Sequence, residues 1–428
     1  MVFGFLPTVV AALATEQPVA ELLSRVLPAY APSFDLTLDA ALPPGVSTSF
    51  AVSTTADGRV HVRGSSQTAL AAGAHAYLRA VNASVSWAAT GGDNLVASLP
   101  ASSKSDHLPP LPHALHGNTS FLHVYYFNTC TYGYSTPWWS WERWERELDW
   151  MALHAINTPL AMLGFEWAMA QTLTLDFGLA RSDLDDFLSG PAFLPWHWMG
   201  NLDAWGGPLS DGWLERGRAL QHRFLTRARS LGMTPVLPAF AGFVPPAMQS
   251  LFPDAEIQST SGWNGFAKTF YLEPSSPLFG QVGAAFIQRL CAEFGCDEGW
   301  FAADLYNELA PPSKDPEYLR NASRATYAAI EAGFASHRRR QLARRAAAPS
   351  AAATSLASAT RPTWLAQAWM WHNDPSHWGT SQIRAFLDGP PVGGLVMLDL
   401  YAEVRWPLRT FEGLRWPSDG LLRTSEDL

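Results

Sequence analysis

Between residues 121 and 401, apolar runs of strand length alternate with longer stretches whose apolar positions recur at helical spacing. Such alternation predicts β/α units, because parallel strands need a crossover between them. Six strands are expected, at 121–127, 156–163, 233–240, 299–308, 363–371 and 394–401. Helices are expected at 138–150, 213–231, 277–294, 318–334 and 377–387, the first with Ser135 and Thr136 as caps and Pro137 in its first turn. A closed (β/α)8 barrel has eight strands, so six predict an open one.

The fourth run carries the chemistry. Gly299-Trp300-Phe301-Ala302-Ala303-Asp304-Leu305-Tyr306-Asn307-Glu308 is followed by Leu309-Ala310-Pro311-Pro312, whose prolines forbid further strand. Reactive groups in parallel α/β folds stand at the C-terminal ends of strands, which is where Asn307 and Glu308 fall. A glutamate there can equally begin a solvated loop, and its surroundings decide between the two. The chain holds 19 tryptophans and is 12% aromatic. Flat rings pack cores, and they also grip sugars. Two long irregular segments, 193–201 with Trp196 and 241–273 with Trp263, are expected to loop over this end. Glu166, again just past a strand, is a second candidate carboxyl group.

With 428 residues, 47% hydrophobic and 16% charged, the chain is globular, and a net charge of −9 argues against nucleic acid or anionic membrane as a partner. No apolar stretch reaches the length of a membrane span. Cys130, Cys291 and Cys296 give neither a metal-ligand spacing nor an even disulfide framework. No glycine loop is placed to cradle phosphate, so neither metal nor cofactor is expected. An acid at a strand end ringed by aromatics suits glycoside hydrolysis, in which one carboxyl group protonates the leaving oxygen and a second attacks or activates water.

Residues 1–14 are apolar and end in Ala12-Leu13-Ala14, the outline of a signal peptide without its basic start. A helix at 18–27, strands at 34–38 and 60–64, and a helix at 66–81 make a small α/β domain over 15–105. The polar, proline-rich stretch 101–112 links it to a barrel over 113–403. Within the barrel, the Arg/Ala/Ser-rich stretch 337–360 has the composition of a disordered insertion. The tail, 404–428, shows neither a further strand nor a clear helix. Sequons at Asn82, Asn118 and Asn321 agree with a secretory route.

The chain resembles the α-N-acetylglucosaminidase family, whose lysosomal member removes terminal α-linked N-acetylglucosamine from heparan sulfate. The matching residues include Tyr125-Tyr126-Phe127-Asn128-Thr129-Cys130, residues 141–153, 190–194 and 232–242, the Asn307-Glu308 pair with its prolines, and Leu398-Asp399-Leu400-Tyr401-Ala402-Glu403. The resemblance implies a small N-terminal α/β domain, a (β/α)8 barrel, a C-terminal helical domain, and hydrolysis with retention through a covalent intermediate. By matching position, Glu308 is the general acid/base, and Asn128, Cys130, Trp196, Trp263, Asn307 and Trp369 line the sugar pocket. It also implies a glycan with terminal α-N-acetylglucosamine as partner, and a lysosomal, vacuolar or extracellular location.

The family's nucleophile lies on a later strand, the seventh by this count, and neither Asp399 nor Glu403 takes its position. The chain as written is therefore expected to be inactive. Two alternatives stand beside that reading. One is a catalytically inactive sugar-binding remnant that keeps the aromatic pocket; the other is a hydrolase pairing Glu308 with Glu403.

Overall fold

The computed structural model describes residues 15–42, 48–83, 108–119, 121–347 and 360–399, with the backbone of 414–415 and 423–424. Helix α1 (Gln17–Val26) buries Val19, Leu22, Leu23 and Val26, an amphipathic stripe at i, i+3, i+4 and i+7. Strands β1 (Phe34–Leu38), β2 (Thr48–Thr54) and β3 (Val60–Gly64) follow. Helix α2 (Gln67–Ala80) is capped by Ser66, whose hydroxyl accepts the Ala69 amide. A further strand, β4 (Leu115–Thr119), then returns to this unit.

The sheet runs β1-β3-β2-β4, with β1 parallel to β3 and the other two pairs antiparallel. The N-terminal unit thus takes in a strand from beyond the proline-rich stretch. Neither β2 nor β4 is expected from the sequence: β2 is mostly Ser and Thr around Phe50 and Val52, and β4, Leu-His-Gly-Asn-Thr, has a single strongly apolar residue.

The second unit contains β5 (Tyr125–Tyr126), α3 (Thr131–Tyr134), α4 (Trp141–Leu153), β6 (Thr158–Pro159), α5 (Phe165–Phe177), α6 (Arg181–Asp185), α7 (Leu194–Trp198) and α8 (Asp211–Ser230). It continues with β7 (Leu237–Pro238), α9 (Ala247–Leu251), the hairpin β8 (Ile257–Ser259) and β9 (Phe270–Leu272), α10 (Pro277–Phe294) and β10 (Trp300–Ala302). The last elements are α11 (Pro316–Ala347), β11 (Thr363–Gln367), α12 (Trp369–Asn373), α13 (Thr380–Leu387) and β12 (Leu395–Leu398). Strand β5 pairs with β6, and β7, β10, β11 and β12 form a second ladder, all in parallel. A parallel bridge between Leu160 and Val236 joins the two ladders. The six expected strands are therefore one parallel array in chain order, the sheet of a TIM-type barrel. Among the described residues no ladder joins β12 back to β5.

Several details depart from the sequence reading. The ladder assigned to the run at 233–240 is short, confined to Val236, Leu237 and Pro238, and Pro235 and Pro238 have no N–H to give it, while the Thr234 and Ala239 amides bond Asn157 and Ala302 on either side. The helix expected to open at Ser135 begins at Trp141 with Ser140 at its N-cap, while residues 131–134 form the separate α3. The segment at 193–201, expected as a loop, holds the short α7.

The stretch expected to be disordered over 337–360 is helical as far as Ala347, because alanine and arginine are strong helix formers and α11 simply continues through them. Residues 348–359 and 1–14 lie outside the described residues, as does most of the tail, in which Leu414–Arg415 pairs antiparallel with Arg423–Thr424. Cys291 and Cys296 form a disulfide. The chain turns at Gly295, where φ is +69°, and this brings the two Cα atoms to 5.0 Å. An odd cysteine count concealed the pair.

The two units meet at Asp149 on α4. Its buried carboxylate accepts Nε and Nη2 of Arg25 at 2.7 and 2.9 Å, and Nη2 of Arg227, on α8, at 2.8 Å. Thr68 donates to the Leu231 carbonyl at 2.8 Å across the same boundary.

Candidate active site

Past β10 the chain turns out of the sheet through residues 303–308. Glu308 is held from two sides: Trp263 Nε1 donates to Oε2 at 2.6 Å, and Trp369 Nε1 donates to Oε1 at 2.9 Å. Trp263 stands at the tip of the β8–β9 hairpin, and Trp369 opens α12 just past β11. The next strand end and a loop thus converge on one carboxyl group.

Asn307 is buried, and its Nδ2 donates to Met199 Sδ at 2.8 Å. Its Oδ1 and both amide atoms of nearby Asn201 have no hydrogen-bond partner among the described residues. Gly200, between Met199 and Asn201, has φ +72°, and a Cβ there would stand 1.9 Å from the Phe243 ring. Only glycine fits this turn.

On the other side, Cys130 immediately precedes α3. Burial, and then the charges of Glu308 and Asp304, push its thiol up to about 11. Near neutral pH it is a protonated pocket group and a poor nucleophile. Asn128 is exposed, and its Oδ1 accepts the Cys130 amide at 2.9 Å, shaping the turn. Trp196, half-buried on α7, packs against Tyr134 with centroids 5.1 Å apart. Its described contacts place it beside α3, whereas Trp263 and Trp369 touch Glu308 directly.

The sequence reading missed Asp304. Its oxygens accept the Gln367 amide at 2.8 Å and Gln367 Nε2 at 2.6 Å, and the same Nε2 reaches Thr129 Oγ1 at 3.1 Å. The ends of β5, β10 and β11 are tied together by this link. Burial pushes Asp304 up to about 6. The available signal was an aspartate inside an otherwise apolar run. Glu166, in the first turn of α5, is buried and accepts Trp198 Nε1 at 2.6 Å; burial pushes it up to about 7. Its donor precedes Met199, so Glu166 supports the loop beneath Asn307.

Among the described residues, one cluster has ligand atoms close enough for a metal, Cys291, Cys296 and His337, and the disulfide occupies both of its sulfurs. Glu308 and Asp304 are bonded by indole and amide N–H groups alone, with no cation against either among the described residues.

A parallel β/α array with a carboxyl group clamped between two indoles at a strand end makes a TIM-type barrel with a candidate acid site. Two family models match, the Alpha-N-acetylglucosaminidase (NAGLU) tim-barrel domain over residues 124–338 and 331–416, and the corresponding N-terminal domain over 17–102. The chain belongs to the α-N-acetylglucosaminidase family. The barrel match runs past Glu403.

Alpha-N-acetylglucosaminidase from Homo sapiens is 40% identical over 393 residues, 90% of this chain and 48% of that protein. The chain thus spans about half the length of the curated relative it matches. A family 89 glycoside hydrolase from Clostridium perfringens, solved with 2-acetamido-1,2-dideoxynojirimycin, superposes with a TM-score of 0.75 at 24% identity, covering 93% of this chain and 41% of that one. A structure from the same organism with its substrate GlcNAc-α-1,4-galactose gives the same TM-score and identity, covering 93% and 40%. Both likenesses concern the fold.

Proposed function

We propose that this chain carries the acid/base half and the sugar pocket of an exo-glycosidase acting on terminal α-linked N-acetylglucosamine. The observation that carries the reading is the double indole clamp on Glu308. The indoles take one lone pair on each oxygen and fix the carboxyl plane, leaving a lone pair to hold the proton given to the leaving oxygen. Asn307 Oδ1 and the Asn201 amide are the buried polar groups free to bond sugar substituents. A buried polar group without a partner is costly unless a ligand or water supplies one. The retaining pathway needs a second carboxylate about 5 to 5.5 Å away. Asp399 is exposed just past β12 and Glu403 lies outside the described residues; neither is assigned the role.

Family membership supports this substrate class: the human relative bears the name α-N-acetylglucosaminidase, and the bacterial enzyme binds GlcNAc-α-1,4-galactose. Heparan sulfate chain ends are the substrate we assign. The Cys291–Cys296 disulfide and the exposed sequon residues Asn118 and Asn321 support a secretory route to lysosome, vacuole or exterior.

The test is hydrolysis of a nitrophenyl α-N-acetylglucosaminide by this chain beside Glu308→Gln, together with calorimetric binding of 2-acetamido-1,2-dideoxynojirimycin. Turnover that disappears in the variant supports the reading. Binding without turnover favours the sugar-binding remnant. Neither binding nor turnover in a folded chain overturns both.

A further inference from the structure

The hairpin tip that brings Trp263 to Glu308 also starts a line of rings leading away from it. Trp263 stacks on Phe266 with centroids 5.3 Å apart and planes at 27°. Phe266 meets Trp205 edge to face at 5.0 Å, and Trp205 meets Phe193 at 6.3 Å. Trp205 is half exposed, which is unusual for the largest apolar side chain on a loop whose neighbours Leu202 and Met199 are buried. Beside it lies a cavity lined by Trp205 and Phe266 together with the exposed Asn264 and Lys268.

The rings are held in place before any ligand arrives. Left-handed turns at Gly262, Asn264 and Gly265 direct Trp263 and Phe266 from a four-residue tip. That tip is pinned by Thr269 Oγ1 to the Gly200 carbonyl at 2.6 Å and by the Ala310 amide to Ser261 Oγ at 3.2 Å. The Gly190 amide donates to the Trp205 carbonyl at 2.8 Å. Preorganised aromatic faces lose little conformational freedom on binding.

The C–H face of a pyranose is apolar and faintly positive, complementary to the negative face of an indole, while hydroxyls at its rim want donors and acceptors. A cavity with two rings as wall and an amide and an ammonium at the edge matches that surface. Its distance from Glu308 is set by two ring-to-ring steps. The terminal sugar is held at Glu308, so the ligand that reaches this cavity is the next sugar along the chain.

We infer that Trp205 and Phe266, with Asn264 and Lys268 at the rim, form a subsite for the sugar on the leaving-group side of the scissile bond. This rests on the function proposed above and adds to it a preference for disaccharide or longer glycans over simple glycosides.

The experiment uses the full chain with Glu308→Gln, so that no ligand is consumed, and measures calorimetric binding of methyl α-N-acetylglucosaminide and of GlcNAc-α-1,4-galactose. The disaccharide should bind about tenfold tighter, one decade of affinity being a modest gain for one stacked ring. Adding Trp205→Ala should remove that advantage and leave the methyl glycoside unchanged, while Trp205→Phe should keep most of it. Equal affinity for the two ligands, an advantage that survives Trp205→Ala, or an equal loss for both ligands overturns the subsite and leaves the proposed function standing. Absence of binding by either ligand, with the fold intact by thermal unfolding, overturns the proposed function and the subsite with it.

Discussion

The two ends of strand β10 are built on opposite electrostatic principles. At its start, Arg229 bonds both oxygens of Glu298 at 2.6 and 3.1 Å and the carbonyls of Phe294 and Gly295 at 2.8 and 3.1 Å. Beside it Asp297 is bonded by His337 and Gln341, and a disulfide closes the turn. At its far end Asp304 and Glu308 have, among the described residues, amide and indole donors only. An opposite charge favours the ionised form of a carboxyl group strongly and a neutral donor does so more weakly, so that at Asp304 burial outweighs the Gln367 bonds. One end of the strand is charge-paired and the other is held by neutral donors, in keeping with the division of barrel faces between stability and function.

Four measurements would break or sharpen this contrast. The largest effect is expected for Glu308→Gln, which should lower whatever hydrolysis of a nitrophenyl α-N-acetylglucosaminide this chain supports by about 10²- to 10⁴-fold with little change in melting temperature. A comparable loss of stability would mean that Glu308 is structural, like its counterparts at the other end. Next, Cys291→Ser should destabilise the fold by about 2 kcal/mol, the loop-closure value for so short a loop, and leave inhibitor affinity as it was. Arg229→Ala should cost about 1 to 2 kcal/mol through its lost charged hydrogen bonds, again with unchanged affinity. An affinity that fell with either would show the two ends to be coupled.

The smallest effect is a pair of opposite pH dependences. Hydrogen bonding by His337, and next by Gln341, lowers Asp297, so its stabilisation is present above about 3.8, the unfolded value, and is lost as pH falls through the lower folded value. Asp304 is raised to about 6, so the folded state keeps a proton that the unfolded state has released, and stability declines as pH rises from about 4 to about 6. Melting curves of Asp297→Asn and Asp304→Asn against pH should flatten on the acid side and between 4 and 6 respectively. Flattening in the same window for both variants would remove the contrast.

Legibility in the sequence followed the same physics. Helices α2, α8 and α10 are long, periodic and bounded by Ser66, Ser210 and Pro277, and their limits were readable to within about two residues. The barrel strands were visible as apolar runs, but their ladders span only two to five residues, since proline and outward turns cut them short. Glu308 stood out because prolines mark the end of its strand, Trp263 because it lies in a long irregular segment beside the site, and Trp369 came into the pocket through the resemblance. Asp304, Gln367 and Met199 did not, because each looks like an ordinary core or loop residue until distant segments bring its partner. The hydrogen bond from Gln367 to Thr129 spans 238 positions, a separation no local pattern encodes.

The shared aspartate between the two units carries a last consequence. Asp149 takes its guanidinium partners from Arg25 in one unit and Arg227 in the other, so a cut at the proline-rich stretch would leave it with half its counter-charge. The sequence suggests a seam there, yet the Asp149 pairs and the Thr68–Leu231 hydrogen bond cross from one unit to the other. Gene rearrangements that shuffled the barrel away from its small companion would leave this anion with Arg227 alone. The two are therefore expected to be inherited, expressed and lost together, one heritable piece with two family descriptions.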